Sequence, residues 1–377
     1  MTPPRLVYLV NEDSYFVGHR LTMARAALKA GYDVHVATRL GKFRDDIVAE
    51  GFKVHPVDIH RGSVNPLNFI GAARAVRKLY RQLDPAIVHH VTLQASLVGA
   101  LAARNLPVRQ VNTVTGLGTV FTARTAKVLL TRVGVGLIIG PLLNNPRSVV
   151  TVENPDDKQV LASLSVDNER IHVLPGSGID TARYAVLPEP PPPVTVAFAG
   201  RMLIDKGVRT LVAAYEIVQQ QGHPVRLVLA GTPDPANDNS IPASELEDWG
   251  KRPGISWLGQ VADIRDVWRN AHIAVLASLG EGLPMSLVEA AACGRPLIAT
   301  DVPGSRAVAR TGVNGILVPT GDPQKLADAI IKLASDAELR RRYAEASRAL
   351  VEAEYSSAHV ESEVLRVYEL ARRNARA

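Results

Sequence analysis

VLPEPPPPVTVAFAG, residues 186–200, is the stretch on which the fold turns. Pro190–Pro193 follow one another, and such a run neither continues a helix nor sits in a central strand, because proline lacks the N–H that both need. It predicts a stiff, extended connector over 186–193. Directly after it, Val194–Ala199 is apolar and ends on Gly200, as a buried strand closed by a turn does. The same unit, an apolar run, a turn and a helical pattern, recurs on both sides of the prolines.

Upstream the runs are Leu6–Val10, Val34–Thr38, Val54–Val57, Ile87–His90, Gln110–Val114, Val149–Val152 and Ile171–Leu174. Helical patterns fill gaps between them at His19–Ala30, Pro66–Leu83 and Leu93–Ala103. Downstream come Val225–Ala230, Ile255–Leu258, Ile273–Ala277, Leu297–Thr300 and Ile316–Val318, with helices over Val208–Gln221, Leu283–Cys293, Pro323–Ser335, Ala337–Glu354 and Ala358–Ala375. Alternating strands and helices predict parallel sheets covered on both faces. The fold class is α/β, two doubly wound Rossmann-like domains in tandem over 1–185 and 194–355. Ligands of such sheets bind beyond the carboxyl ends of the strands, so the gap between two of them is the expected site.

At 377 residues the chain is long enough for two or three domains. Its 46% hydrophobic and 21% charged residues exclude a disordered or fibrous chain. A single cysteine, Cys293, excludes a disulfide scaffold and any cysteine-built zinc or iron–sulfur site. MTPPRLVYLV reads as a first strand rather than a signal peptide. The longest apolar run, Val133–Leu143, is too short to span a bilayer. Charge is uneven: residues 1–185 hold 22 Lys and Arg against 14 Asp and Glu, and residues 186–377 hold 21 against 23. A basic first half fits a negatively charged partner, and it equally fits scattered solvated arginines.

Two segments of the second half carry chemistry. In EGLPMSLVE, Glu281–Glu289, one glutamate stands in the loop before a helix and the other just over two turns into it. The helix start attracts phosphate, and the carboxylates can accept hydrogen bonds from sugar hydroxyls and a ribose diol. In AGRMLIDKG, Ala199–Gly207, Arg201 and Lys206 bracket a short loop after a strand. They can hold a diphosphate and neutralise the charge that builds as it departs. Surface carboxylates and an ordinary strand–helix turn are the competing readings. FVGHR, Phe16–Arg20, puts Gly18 near a helix start, and NTVTGLGTVF, Asn112–Phe121, is a glycine-rich loop at a sheet edge. Of His89 and His90 at a strand end, only one can face a given site. No D-x-D, G-x-S-x-G, H-E-x-x-H or C-x-x-C occurs. The glycines at 134, 136 and 140 lack the strand context and acidic partner of a dinucleotide fingerprint.

These residues carry a resemblance. AGRMLIDKG (199–207), LVLAGTPDP (227–235), WLGQVADIRDVWRNAHIAVLAS (257–278), EGLPMSLVEAAACGRPLIATDVPG (281–304) and GVNGILVPTGDPQKLADAI (312–330) resemble the retaining GT-B glycosyltransferases of family 4. HRLTMARAALKAGYDVHVAT (19–38), VHHVTLQASLVGALAA (88–103) and ENPDD (153–157) are similar to the branch that builds capsular and other surface polysaccharides on polyprenyl-diphosphate-linked acceptors. Gly18 and Gly280 depart from the family's usual residues and put local loop geometry in question.

The resemblance implies roles. Arg201 and Lys206 would bind the nucleotide diphosphate, Glu281 the donor sugar and Glu289 the ribose. The backbone of Gly282, Leu283, Pro284 and Met285 would approach sugar and phosphate, with Gly200 at the diphosphate loop and Gly18 facing the distal phosphate. Gly231 and Val261 would flank the base, and His90 would lie near the reacting carbon. On the acceptor side stand His19, Thr115, Gly116 and Asn154. No metal or other cofactor is implied. The C-terminal segment 356–377 would pack back on the first domain. The expected partners are a nucleotide sugar, UDP-linked, and a lipid-linked saccharide. The expected location is the cytoplasmic membrane's inner face, with Ala126–Leu143 as an interfacial stretch or a buried helix. A sugar-nucleotide epimerase of the same fold and a non-catalytic sugar-nucleotide-binding protein are the alternatives.

Overall fold

The structure, a computed structural model, describes residues 2–59, 66–115 and 136–373. The chain divides into two compact units, Met1–Gly178 with Ser357–Ala377, and Ile179–Ser356. The first is built on β1 (Arg5–Glu12), β2 (Asp33–Arg39), β3 (Lys53–Pro56), β4 (Ile87–Val91), β5 (Arg109–Thr113), β6 (Ser148–Val152) and β7 (Ile171–Val173). They form one sheet in the order β3-β2-β1-β4-β5-β6-β7, and every pairing is parallel. All five residues of β4 and of β6 are buried, the polar His89, His90, Ser148 and Thr151 included, so neither strand alternates between core and solvent.

Period-two alternation divides β1 between two cores. Leu6, Tyr8 and Val10 pack with Val360, Val364 and Tyr368 of the C-terminal helix Ser357–Arg373. Val7 and Leu9 pack on the other face with Val76, Tyr80 and Val98. The C-terminal helix is tied in by polar contacts as well. The Tyr368 hydroxyl lies 2.6 Å from that of Tyr8 and 2.9 Å from His89 Nδ1, while His89 Nε2 lies 2.6 Å from Thr113 Oγ1.

The second unit has six parallel strands, β8 (Val194–Ala199), β9 (Val225–Ala230), β10 (Ile255–Gly259), β11 (Ile273–Leu276), β12 (Leu297–Thr300) and β13 (Gly315–Val318), ordered β10-β9-β8-β11-β12-β13. Strand order reverses between β1 and β4 in one sheet and between β8 and β11 in the other. These are the topological switch points of doubly wound sheets, where such folds hold ligands.

The division falls at 178/179 rather than at the prolines. The extended segment that includes them is fastened to the second unit through its carbonyls and one carboxylate. The oxygens of Thr181 and Tyr184 accept from Arg348, that of Pro188 accepts from Arg295, and Glu189 pairs with Arg340 at 2.6 Å. Proline loses a donor but keeps its acceptor, so a proline run can still be strapped down. The pattern over His19–Ala30 is also interrupted. Helices Asp13–His19 and Leu21–Lys29 meet at Arg20, whose φ of −129° is not helical, and whose side chain turns inward to Glu153 at 3.1 Å. The helix placed over Leu283–Cys293 begins at Met285 with Pro284 as its cap, because a residue before proline is driven out of helical φ/ψ. The pattern over Ala337–Glu354 ends as a helix at Leu350, and a wider turn, Val351–Tyr355, follows.

Candidate functional site

In the second unit the switch point gathers most of the predicted residues. β8 ends at Ala199, Gly200 follows, and the chain makes a tight turn over Ile204–Lys206 before the helix Val208–Gln220. Gly207 closes that turn at φ +69°, and a Cβ there would lie 1.9 Å from the carbonyl oxygen of Ala277. Only glycine permits this approach, and it seats the turn against the end of β11. The Leu279 amide then donates to the Asp205 carbonyl at 2.8 Å, so the loop after β8 and the loop after β11 are joined.

Lys206 and Glu281 meet there. Lys206 Nζ donates to Glu281 Oε1 at 2.6 Å, and Ser278 Oγ donates to the same oxygen. The Ser278 carbonyl is held in turn by the hydroxyl of Thr300 at the end of β12. Ser278 is wholly buried and Glu281 nearly so, whereas the Lys206 side chain keeps 24% of its exposure. Both donors converge on Oε1, and among the described residues none reaches Oε2. Glu281 thus presents a fixed carboxylate with one oxygen to spare. Its carbonyl accepts from the Gly304 amide at 3.2 Å, and a Cβ on Gly304 would lie 2.4 Å from the Gly282 carbonyl oxygen. Backbone on both sides pins the loop.

Arg201 is half exposed and donates to Asp234 Oδ2 at 2.9 Å. It shares the Gly200–Gly207 loop with Lys206 but forms no hydrogen bond or ion pair with Glu281. Gly231, after β9, abuts Gly200 so closely that a Cβ would come within 1.8 Å of the Gly200 oxygen. The Gly231 carbonyl accepts from Trp257 Nε1 at 2.9 Å. Val261 follows β10 and packs partly buried on the same core. No side chain caps the helix Met285–Ala292, which leaves its first N–H groups pointing out of the loop end. Glu289, within that helix, is half-buried. Burial raises its carboxyl to about 7, against the opposing pull of the Tyr184 hydroxyl and Arg183.

The first unit has its own polar cluster at the carboxyl edge. Arg20 is buried to 1% exposure and pairs with Glu153 beyond β6. Its guanidinium lies 5.8 Å from the Tyr15 ring centre, and its Nε has no hydrogen-bond partner among the described residues. His19 Nδ1 lies 3.3 Å from Ser177 Oγ. Burial, then the charge of Arg20, lowers its pKa to about 4. Asn154 caps the helix Pro155–Ser163 and donates to Asp157 Oδ2 at 3.0 Å. The Asp157 carboxyl is raised to about 7, first by burial. Thr115 lies 3.5 Å from the Tyr15 hydroxyl. Gly116 lies outside the described residues, as do 126–135 of the stretch placed at a membrane. Gly18 stands in the last turn of the helix Asp13–His19 with nothing within 4 Å of a built Cβ, so it is not at a helix start.

His90 needs a correction. Its ring is fully buried, with Nδ1 2.7 Å from Asn112 Oδ1 and Nε2 3.0 Å from the Tyr80 hydroxyl. The ring also fills the space over Gly99, where a Cβ would come within 2.3 Å. With both nitrogens occupied and no exposed surface, His90 is part of the packing. Sequence reasoning missed Arg20, Glu153, Asp234, Ser278 and Thr300. For Ser278 the signal was present, since it lies three residues before Glu281 in ASLGE.

Two parallel sheets, each with a polar switch point and the second holding a lysine–glutamate pair beside two glycine turns, define the GT-B type of fold. Solved structures agree on the fold. A glycosyltransferase from Rickettsia africae superposes with a TM-score of 0.78 at 16% identity, covering 98% of this chain and 99% of that one. The Anabaena Alr3699/HepE complex with UDP gives 0.78 at 17%, covering 97% and 99%. Residues 5–145 match the family described as "Glycosyl transferase 4-like" and residues 193–336 the one described as "Glycosyl transferases group 1". The chain is therefore a glycosyltransferase of the GT-B type.

It is similar to the putative glycosyltransferase EpsD of Bacillus subtilis, 24% identical over 91% of each chain. It is also similar to the N,N'-diacetylbacillosaminyl-diphospho-undecaprenol alpha-1,3-N-acetylgalactosaminyltransferase of Campylobacter jejuni, 23% identical over 89% of this chain and 91% of that one. A third relative is the capsular polysaccharide biosynthesis glycosyltransferase CapM of Staphylococcus aureus. It is 28% identical over 46% of this chain, and the match spans 45% of CapM.

Proposed function

We propose that the chain moves a sugar from a UDP-linked donor to a lipid-linked saccharide, with retention of anomeric configuration and without a metal ion. One observation carries the proposal: Lys206 and Glu281 are joined at 2.6 Å at the switch point of the second sheet, between a cationic loop and an uncapped helix start. A pyrophosphate laid there meets Lys206, the N–H groups of the Met285–Ala292 helix, and Arg201, whose five N–H donors are not exhausted by Asp234.

In the reaction the bond from the anomeric carbon to the phosphate oxygen breaks, and its electron pair stays on that oxygen. Lys206 and Arg201 stabilise the growing charge. The acceptor hydroxyl forms the new bond from the face the leaving group vacates and passes its proton to the departing phosphate oxygen. No protein base is needed. Glu281 Oε2 accepts from donor sugar hydroxyls, and Glu289 accepts from the ribose diol. His19, Thr115 and Asn154 stand on the acceptor side.

The lipid-linked acceptor is supported by the activity named for the Campylobacter relative and by the basic first half of the chain. Membrane contact is supported by Leu137 and Ile138, which are 74% and 50% exposed in the described part of the apolar stretch. Among the described residues no helix is long and apolar enough to cross a membrane, so contact would be peripheral, at the cytoplasmic face. The test is a donor screen by thermal shift with UDP-, GDP- and ADP-sugars, since a ligand that binds the native state raises Tm in proportion to ln(1 + [L]/Kd). Transfer of the best donor's sugar to polyprenyl-diphosphate saccharides follows, with the product anomer read by NMR. An inverted product overturns retention. Donor turnover with an epimerised sugar and no transfer overturns the transferase reading.

A further inference from the structure

Most described arginines on the surface of this chain have acid partners: Arg25 with Glu50, Arg209 with Glu245, Arg341 with Glu338 and Glu345, Arg366 with Glu363. A group at one sheet edge departs from that pattern. At the amino edge of the first sheet, opposite the switch point, an open cavity of about 640 Å³ is lined by Arg109, Arg372 and Arg373, with Ala86, Pro107 and Glu369. The volume is that of a small-molecule pocket. Arg109 opens β5, and Arg372 and Arg373 end the C-terminal helix. Arg147, the residue before β6, stands beside the lining: the Gln110 amide donates to its carbonyl at 2.9 Å, its guanidinium donates to the Leu106 carbonyl at 3.4 Å, and its charge acts on Arg109.

No ion pair reaches Arg109, Arg147 or Arg372 among the described residues, and the one lining acid, Glu369, is 4.0 Å from Arg373. Arg109 Nε is enclosed and, among the described residues, has no hydrogen-bond partner. An enclosed guanidinium N–H left unmade costs free energy that a partner would recover. Burial, then the charges of Arg147 and Arg372, pull Arg109 below the usual arginine range, as expected of like charges held together. A C-terminal helix end draws cations to itself, which accounts for Arg372 and Arg373 but not for the orphan on β5.

We propose that this cavity is a second anion site that takes a phosphate group, on the edge of the first sheet away from the transfer chemistry. Guanidinium forks match phosphate oxygens in geometry and charge. A free phosphate and a phospholipid headgroup present the same group to it.

The intact protein is titrated with inorganic phosphate and followed by amide hydrogen exchange. Protection is expected at residues 107–110 and 366–373, weakened about tenfold in the double variant Arg109→Gln/Arg372→Gln and unchanged in Lys206→Met, which removes a cation from the other anion site. Should the double variant misfold, Arg147→Gln, an exposed change, is expected to weaken the same protection. A parallel arm co-sediments the protein with phosphatidylcholine vesicles with or without phosphatidylglycerol. Binding that needs phosphatidylglycerol and is lost in the arginine variants supports the site and names the headgroup as its source. Local protection by inorganic phosphate without vesicle binding supports it with a free anion. Protection confined to other parts of the chain, such as the Gly200–Gly207 loop, or neither response, overturns the proposal.

Discussion

Replacing Lys206 by methionine separates two roles that one contact combines. The ammonium lies 2.6 Å from Glu281 Oε1, and Glu281 is nearly buried. Removing the cation leaves a carboxylate with Ser278 as its remaining donor. A fully buried pair broken in this way loses about 3–5 kcal/mol. Lys206 keeps a quarter of its exposure, so water reaches the site and a loss of roughly 1–3 kcal/mol is expected. Removing the charge on Glu281 as well should return much of that stability, so Lys206→Met/Glu281→Gln should be more stable than Lys206→Met alone. Activity should behave oppositely. A preorganised charge-stabilising donor is worth about 3–4 kcal/mol of barrier, or roughly 10²–10³ in kcat, and the second substitution cannot restore it. The assay is urea unfolding of both variants beside nucleotide release from the donor chosen by thermal shift. A folded Lys206→Met enzyme within about threefold of wild-type kcat would refute the assignment.

Four further outcomes are expected. Glu289 has a folded pKa near 7 against 4.5 when unfolded, so the native state holds the proton more tightly. Its stabilising effect is complete below about pH 4.5 and is lost as pH rises through 7, by at most about 3 kcal/mol. Glu289→Gln should therefore gain on wild type in unfolding free energy above pH 7. If a ribose diol needs the carboxylate, wild-type donor KM should fall as pH rises through 7, and Glu289→Gln should show a higher, flat KM; a parallel profile in the variant contradicts the role. Gly207→Ala should be strongly destabilised because the Cβ would meet the Ala277 oxygen at 1.9 Å and φ is +69°. Gly18→Ala meets open space within a helix and should leave Tm unchanged or raised, while a rise in donor KM would place phosphate beside it. Arg20→Lys should unfold more readily than wild type, as measured by thermal melting, because an ammonium cannot reproduce the guanidinium's bond to Glu153 and its stacking on Tyr15.

Most strands were legible because parallel sheets covered on both faces make a central strand a largely apolar run stopped by a turn; the edge strand β3, with no buried residue, and the polar β5 are exceptions. β8 and β9 run from Val194 to Ala199 and from Val225 to Ala230, as their apolar runs do. Short helices were not legible. Pro155–Ser163 and Ile264–Arg269, nine and six residues long, are too brief for a period to show, although Asn154 and Asp263 cap them. The boundary between the units was hidden for a different reason. The segment before β8 is held by Arg295, Arg340 and Arg348, which come from more than 100 residues downstream, and no local pattern reports such contacts.

In the candidate site, Lys206 and Glu281 were readable because chemistry placed them on adjacent loops. The convergence of Ser278 and Lys206 on a single oxygen is a property of the packed loops. His90 shows the converse. A histidine at a strand end beside a helix with one glycine facing it is equally a ligand and a packed ring in sequence, and only the positions of Tyr80, Asn112 and Gly99 decide.

Turnover of the sugar nucleotide in a chelator is the most direct measurement. If Lys206 and Arg201 alone offset the charge on the departing pyrophosphate, kcat should be the same in excess EDTA as in added magnesium. Activity abolished by EDTA and restored by a divalent ion would show that a metal carries that charge, and the two cations would lose the role given to them.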